Sequence, residues 1–210
     1  MNPIFNFFFE AYQGRSFNLI ALETIAFFFG IASVVYAKRE KIWVYPTGLV
    51  ATLVTMYIFL EDGLLGDMML NAYYSLMSIY GWWNWARVKA GRKVVSISRT
   101  TALEKIIGVL LFLVTAGFTY MIYLLFGDEL DGSNYLDMIT SGIFFTAMWY
   151  MATKKIENWT LWILADVITV PLYAYRGWGI LSLQYLIFTI LAIQGYIAWK
   201  KLLSNPRLTL

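Results

Sequence analysis

The 210-residue chain contains no histidine and no cysteine. Their absence removes disulfides, Cys/His metal sites, thiol nucleophiles and any imidazole general base. Charge is scarce too, at 14% of residues with a net of +3, and there are only 4 prolines. What is present is apolar: 60% hydrophobic residues, 19% aromatic, and a mean hydropathy of +0.63. Soluble domains do not have this composition, whereas chains that cross a bilayer repeatedly do. The first fourteen residues lack a basic n-region, so no cleavable signal peptide is expected.

Seven apolar runs are legible, at about 17–37, 42–60, 64–87, 103–126, 135–153, 157–175 and 179–203. Most reach the ~20 residues a helix needs to cross a hydrocarbon slab. The segment Asn2–Gln13 is aromatic but too short to span, and reads as interfacial. The expected organisation is an interfacial segment at 1–16, a three-helix bundle at 17–87, a linker with the fourth helix at 88–134, a second three-helix bundle at 135–203, and a tail at 204–210.

Assigning alternate loops to alternate sides separates the charges. One side collects fourteen of the sixteen basic residues: Lys38, Arg39, Lys41, Arg87, Lys89, Arg92, Lys93, Arg99, Lys105, Lys154, Lys155, Lys200, Lys201 and Arg207. The other keeps Arg15 and Arg176 with Glu10, Glu61, Asp62, Asp128, Glu129 and Asp131. The positive-inside rule makes the basic side cytoplasmic, with the N-terminus outside and the C-terminus inside.

Sliding the chain by 114 residues lays the first three runs on the last three without a gap. Glu23 then meets Asp137, Tyr36 meets Tyr150, Gly63 meets Gly177, Gly81 meets Gly195 and Trp85 meets Trp199. The expected fold is all-α and polytopic, seven transmembrane helices in a 3+1+3 parallel repeat. Transporters built from such repeats bind substrate between the repeats near mid-bilayer.

The run Glu157–Tyr175 carries Asp166 near its middle, where a carboxylate is costly in lipid and belongs against protein or a water-filled cavity. At 100° per residue, Trp159, Trp162, Asp166 and Tyr173 share one stripe. Two indoles, a carboxylate and a phenol suit a flat cationic aromatic ligand, held by stacking with the acid as counter-charge. The plainer alternative is an interfacial Trp pair and an Asp bonded to a neighbouring helix. In the third run Asn71, Tyr74, Ser78, Trp82 and Trp85 form another stripe; Asn71 and Tyr74 are the deeper pocket candidates, and Trp82–Trp85 read as a belt. Gln184 and Tyr185 lie at matching depth in the last run. Glu23 and Asp137 either gate a cation or couple protons, or cap and complement helix N-termini. Gly81 and Gly195 are expected at close helix crossings.

Several of these residues together resemble the PnuC family of bacterial vitamin transporters, over nearly the whole chain. The carriers are Ile79-Tyr80-Gly81-Trp82-Trp83-Asn84-Trp85, Glu157-Asn158-Trp159-x-x-Trp162, Val167-Ile168-x-Val170, Ala192-x-x-Gly195 with Trp199, and the acids Glu23 and Asp137. The resemblance implies a fold like a full-length version of the sugar-carrying SWEET architecture, placed in the bacterial inner membrane. It also implies uptake of nicotinamide riboside by facilitated diffusion, with trapping by a cytoplasmic kinase.

Two positions depart from the nicotinamide riboside members, which tend to carry Gln at Asn71 and Asn at Asp166. An ionised Asp only accepts hydrogen bonds, whereas an amide both donates and accepts. That favours an exocyclic amine, as on thiamine, which the PnuT branch carries, so nicotinamide riboside and thiamine both stay open. Other classes fit less well. A membrane enzyme lacks paired carboxylates, a SWEET-type carrier takes neutral sugars, and no channel filter is visible. No catalytic residue, metal site, cofactor or nucleic-acid partner is expected; the expected partners are a small vitamin and the bilayer, with a homo-oligomer left open.

Overall fold

A computed structural model describes residues 7–9, 12–61, 65–89, 91–126 and 132–204, with the side chains of residues 65–67, 92, 93 and 126 left aside. Much of the interfacial segment (1–6, 10 and 11) and nearly all of the tail (205–210) lie outside the described residues. So do Gly63 and the charges at Glu10, Asp62, Asp128, Glu129, Asp131 and Arg207.

The described residues include seven long helices: α1 Phe17–Lys38, α2 Val44–Glu61, α3 Leu65–Ala86, α4 Ala102–Phe126, α5 Gly132–Ala152, α6 Glu157–Tyr175 and α7 Gly179–Ser204. Four stretches, Phe17–Lys38, Val44–Glu61, Ala102–Leu125 and Gly179–Ser204, are long and apolar enough to cross a membrane by length and composition. The other three helices are richer in polar residues, among them Asn71, Ser75 and Ser78 on α3, Thr140, Ser141 and Thr146 on α5, and Asp166 and Thr169 on α6, while α4 and α7 bury Thr115, Thr119, Ser182 and Thr189.

Local chemistry explains the boundaries. Ser16 caps α1, its hydroxyl accepting the Leu19 N–H at 3.4 Å. Pro46 sits in the first turn of α2, where its missing N–H costs nothing. α1 and α5 stop in the same way. The Lys41 N–H reaches back to the Tyr36 carbonyl (2.9 Å), and the Lys155 N–H to the Tyr150 carbonyl (2.8 Å). These 6→1 bonds define Schellman ends, with Glu40 (φ 54°) and Lys154 (φ 55°) as the left-handed residues.

Six helices close a ring. α1 packs on α2, α2 on α3, α3 on α5, α5 on α6, α6 on α7 and α7 back on α1, while α4 lies outside against α5. α5 touches three of its neighbours and is buried along most of its inner length, from Met138 to Ala152. The expected linker differs from a plain loop: Val88–Lys89 (β1) pairs antiparallel with Arg92–Lys93 (β2). Two-residue strands leave no periodicity to read. Beyond this hairpin, the Ser98 N–H donates to the Lys154 carbonyl and the Ile156 N–H to the Ser98 carbonyl, which fastens the linker to the α5–α6 turn.

Candidate functional site

The stripe on α6 divides between two environments. Trp159 is 1% exposed, edge-on to Trp199 (5.5 Å between centroids, 89°). A Cβ added at Gly195 would lie 2.7 Å from its ring. Trp159 is therefore a packing residue in this conformation, not the open stacking platform expected of it. Gly81 takes the Tyr45 ring in the same manner, so both glycines do sit at close crossings.

Trp162, one turn further along, packs against α5 in a chain of rings that runs on to α7. Its ring lies 5.4 Å from Phe144, Phe144 lies 5.9 Å from Tyr185, and Tyr185 lies 5.2 Å edge-on from Tyr173. Tyr74 of α3 packs on the Ile143, Phe144 and Ala165 cluster, and Phe188 extends the wall 5.9 Å from Tyr185. α1 reaches this wall at Gly30, where an added Cβ would sit 3.4 Å from Phe188 and 3.6 Å from Gln184 Nε2. Trp162, Tyr173, Tyr74 and Gln184 thus share one aromatic neighbourhood. Phe144 and Tyr185 complete it, and Phe145 lies beside it, stacked on Tyr73 at 3.6 Å. Phe144 and Phe145 escaped the sequence reading because an apolar doublet in an apolar helix looks like lipid-facing surface.

Asp166 lies on the same stripe, one turn beyond Trp162. It is 2% exposed, and its Oδ1 is buried without a hydrogen bond. Leaving a buried acceptor unpaired costs about 1–3 kcal/mol, and more when it is charged. Such orphans are rare and call for an explanation. The residue 114 positions earlier, Thr52, is satisfied: its hydroxyl lies 2.8 Å from Ser75 Oγ, which donates to the Asn71 carbonyl at 2.9 Å. Thr189, which corresponds to Ser75, donates to the Tyr185 carbonyl at 2.9 Å, so its only proton is already used. Asn71 therefore contributes at least its carbonyl to a helix-to-helix relay.

Glu23 and Asp137, the carboxylates towards the acidic end, are ion-paired. Glu23 Oε1 meets Arg15 at 2.7 Å. Asp137 Oδ2 meets Arg176 at 2.6 Å and accepts the Tyr123 hydroxyl at 2.8 Å. Neither stands in the first turn of its helix, so the capping alternative is corrected. Burial, followed by the Glu23 carboxylate, holds the Tyr12 phenol above its ordinary range. Trp82 and Trp83 are exposed as a belt would be, but Trp85 is 5% exposed and donates to the Met151 carbonyl at 3.2 Å, which corrects its place in that belt. No group of three carboxylates that could hold a metal occurs among the described residues.

A groove of about 680 Å³ between α5 and α6, lined by Leu136, Val167, Ile168, Pro171 and Tyr175, lies elsewhere. Val167 and Tyr175 are exposed on it, so it faces outward from the ring, and its apolar walls suit a lipid chain better than a polar solute.

The nicotinamide mononucleotide transporter family model matches residues 20–201. The nicotinamide riboside transporter PnuC of Escherichia coli is 26% identical over 87% of this chain and 86% of its own length. The riboflavin/roseoflavin transporter RibM of Streptomyces davaonensis is 25% identical over 90% and 89%. The crystal structure of the vitamin B3 transporter PnuC superposes with a TM-score of 0.68 at 26% identity, covering 88% of this chain and 82% of that one. With its model matching most of the length, the chain belongs to the nicotinamide mononucleotide transporter family, and is a multi-pass membrane transporter rather than an enzyme.

Proposed function

We propose that the protein takes up a cationic aromatic vitamin, nicotinamide riboside first, by facilitated diffusion through a seven-span 3+1+3 bundle. Its N-terminus lies outside and its C-terminus in the cytoplasm, as the basic loops favour. One observation carries the site: the buried Asp166 oxygen without a hydrogen-bond partner, one turn from Trp162, whose ring leads through Phe144 and Tyr185 to Tyr173; on this reading these side chains line a central crevice. A ligand cation there gains ring contacts worth roughly 0.5–2 kcal/mol each. Its donor completes the shell of Asp166 with a charge-assisted bond about twice as strong as a neutral one. Asn71, Tyr74 and Gln184 read the ligand's edge. Trp159 acts behind the site through packing. Arg15–Glu23 and Arg176–Asp137 tie down the outer mouth, and a cytoplasmic kinase traps the product.

Support for the 3+1+3 organisation comes from the ring itself. α1 on α7 and α3 on α5 are the same contact if α1–α3 and α5–α7 are equivalent units. A flavin is the second reading, favoured by the likeness to RibM along almost all of both chains. Thiamine falls behind, since none of the relatives named above carries it in its name. Calorimetric titration of the purified protein with nicotinamide riboside, riboflavin and thiamine in parallel tests the order. Nicotinamide riboside is expected to bind tightest, and absence of its binding beside clear flavin binding reverses the proposal. Uphill accumulation of unmodified vitamin in liposomes under a proton or sodium gradient overturns facilitated diffusion.

A further inference from the structure

Among the described residues, one polar link joins α1–α3 to α5–α7 at mid-depth, the Tyr73 hydroxyl donating to the Phe145 carbonyl at 3.1 Å, and five more lie at the basic end of the ring. Lys154 Nζ meets Glu40 Oε1 at 2.6 Å, with the lysine 1% exposed. The Trp85 indole donates to the Met151 carbonyl at 3.2 Å, and the Trp199 indole to the Ala37 carbonyl at 3.0 Å. Asn84 donates to the Ala152 carbonyl at 2.9 Å, and Lys38 to Gln194 at 2.7 Å. The pattern is reciprocal. Each unit's last Trp grips the carbonyl that ends the other unit's first helix, and the two indoles lie 6.0 Å apart. At the acidic end, by contrast, the links described for Glu23 and Asp137 join residues on one side of this divide.

Two further observations single out the basic end. Glu40 and Lys154 occupy left-handed positions that glycine favours, yet carry the two side chains that pair across the divide. Tyr45 and Trp159, also 114 residues apart, bury a hydroxyl and an indole N–H without hydrogen bonds, directly behind Trp85 and Trp199. A fully closed core does not usually retain such orphans at matched places.

We propose that Glu40–Lys154, backed by the Trp85–Trp199 pair, is the latch that seals the basic end of the crevice and must open before cargo leaves on that side. The pair suits a two-state device. Lys154 also lies 4.4 Å over the Trp85 ring, so partial opening strands a buried charge, while full opening hydrates both ions. Trp85 and Trp199 lose their acceptors in the same movement. The latch assumes a carrier with a central crevice, but it needs no particular substrate.

Because the chain has no cysteine, Met148→Cys supplies a single reporter, buried among Trp85, Ile156 and Trp159. Its labelling is followed in vesicles with an impermeant thiol reagent applied from the basic side. Glu40→Gly and Lys154→Gly remove the pair while relieving the left-handed backbone, so both variants should fold. Each is expected to label about tenfold faster, a typical size for coupling between two states, and the charge swap Glu40→Lys/Lys154→Glu should return within about twofold of the parent. Labelling at the parental rate in both glycine variants, or a swap as fast as they are, overturns the latch. Calorimetry on the same vesicle proteins with nicotinamide riboside reports separately: failure to bind it ends the substrate reading and leaves the labelling result standing.

Discussion

α1–α3 and α5–α7 are built alike where they meet and unlike where they face the centre. Both end their first helix in a Schellman turn with a charged left-handed residue, both seat an aromatic ring on a glycine, and both send a Trp N–H to the other's carbonyl. At mid-depth the likeness fails. Thr52 closes a hydroxyl relay through Ser75 to Asn71, whereas Asp166 stands with an unpartnered oxygen beside Trp162. Positions that hold two copies of a scaffold together cannot drift separately, because each contact has a twin. A position that reads a ligand is free to diverge, and on the proposed function this divergence places the reading on the α6 side.

The largest expected effect tests the shared scaffold. Gly195→Val and Gly81→Val each push a branched side chain into a ring already in contact. Such overpacking costs roughly 1–3 kcal/mol. Matched falls in the unfolding temperature of the detergent-solubilised protein are expected, and a fall in only one variant breaks the equivalence of the two crossings.

Next comes the centre. Asp166→Asn keeps the shape, removes the charge and adds a donor, so preference should move toward a carboxamide ligand by about tenfold, or roughly 1.4 kcal/mol. The ratio of nicotinamide riboside to thiamine affinity measures this. An unchanged ratio assigns Asp166 to helix packing. Thr52→Val sharpens the contrast: loss of a satisfied hydrogen bond should cost about 0.5–1.5 kcal/mol of stability and leave the ligand ratio where it was.

The smallest effects belong to the acidic end. Arg15→Gln and Arg176→Gln break ion pairs that remain partly open to water, worth roughly 0–1 kcal/mol. Both should lower the unfolding temperature slightly, by an amount that shrinks as salt rises. A salt titration of the unfolding temperature checks this, and a loss that does not depend on salt shows that the ion pair is not its source.

Much of this architecture is readable in advance because lipid demands continuous apolar helices. α6 spans the expected 157–175, and α5 begins three residues early only because Gly132-Ser133-Asn134 is polar enough to hide a helical turn. A helical stripe also shows which residues share a face. It does not show what covers that face. Trp159 and Trp162 are one turn apart, yet the first meets Gly195 and Trp199 and the second meets Phe144. Glu40 and Lys154 carried no local signal of pairing, since their meeting depends on how α1 and α5 end across the ring. The hairpin at Val88–Lys93 was illegible for want of length.

α3, α5 and α6, whose described residues fall short of a membrane-crossing composition, carry polar side chains set against their neighbours, Ser75, Thr146 and Asp166 among them. On the seven-span reading this governs how the chain is made. A lone α6 leaving the ribosome would present Asp166 at the helix centre to the lateral gate of the translocon, a position unfavourable by roughly 2.5–3.5 kcal/mol. α7 is apolar enough to insert unaided and packs directly on α6, so the pair enters most readily as a hairpin. The residue proposed to recognise the cargo thus makes one helix depend on the next for its own delivery into the membrane.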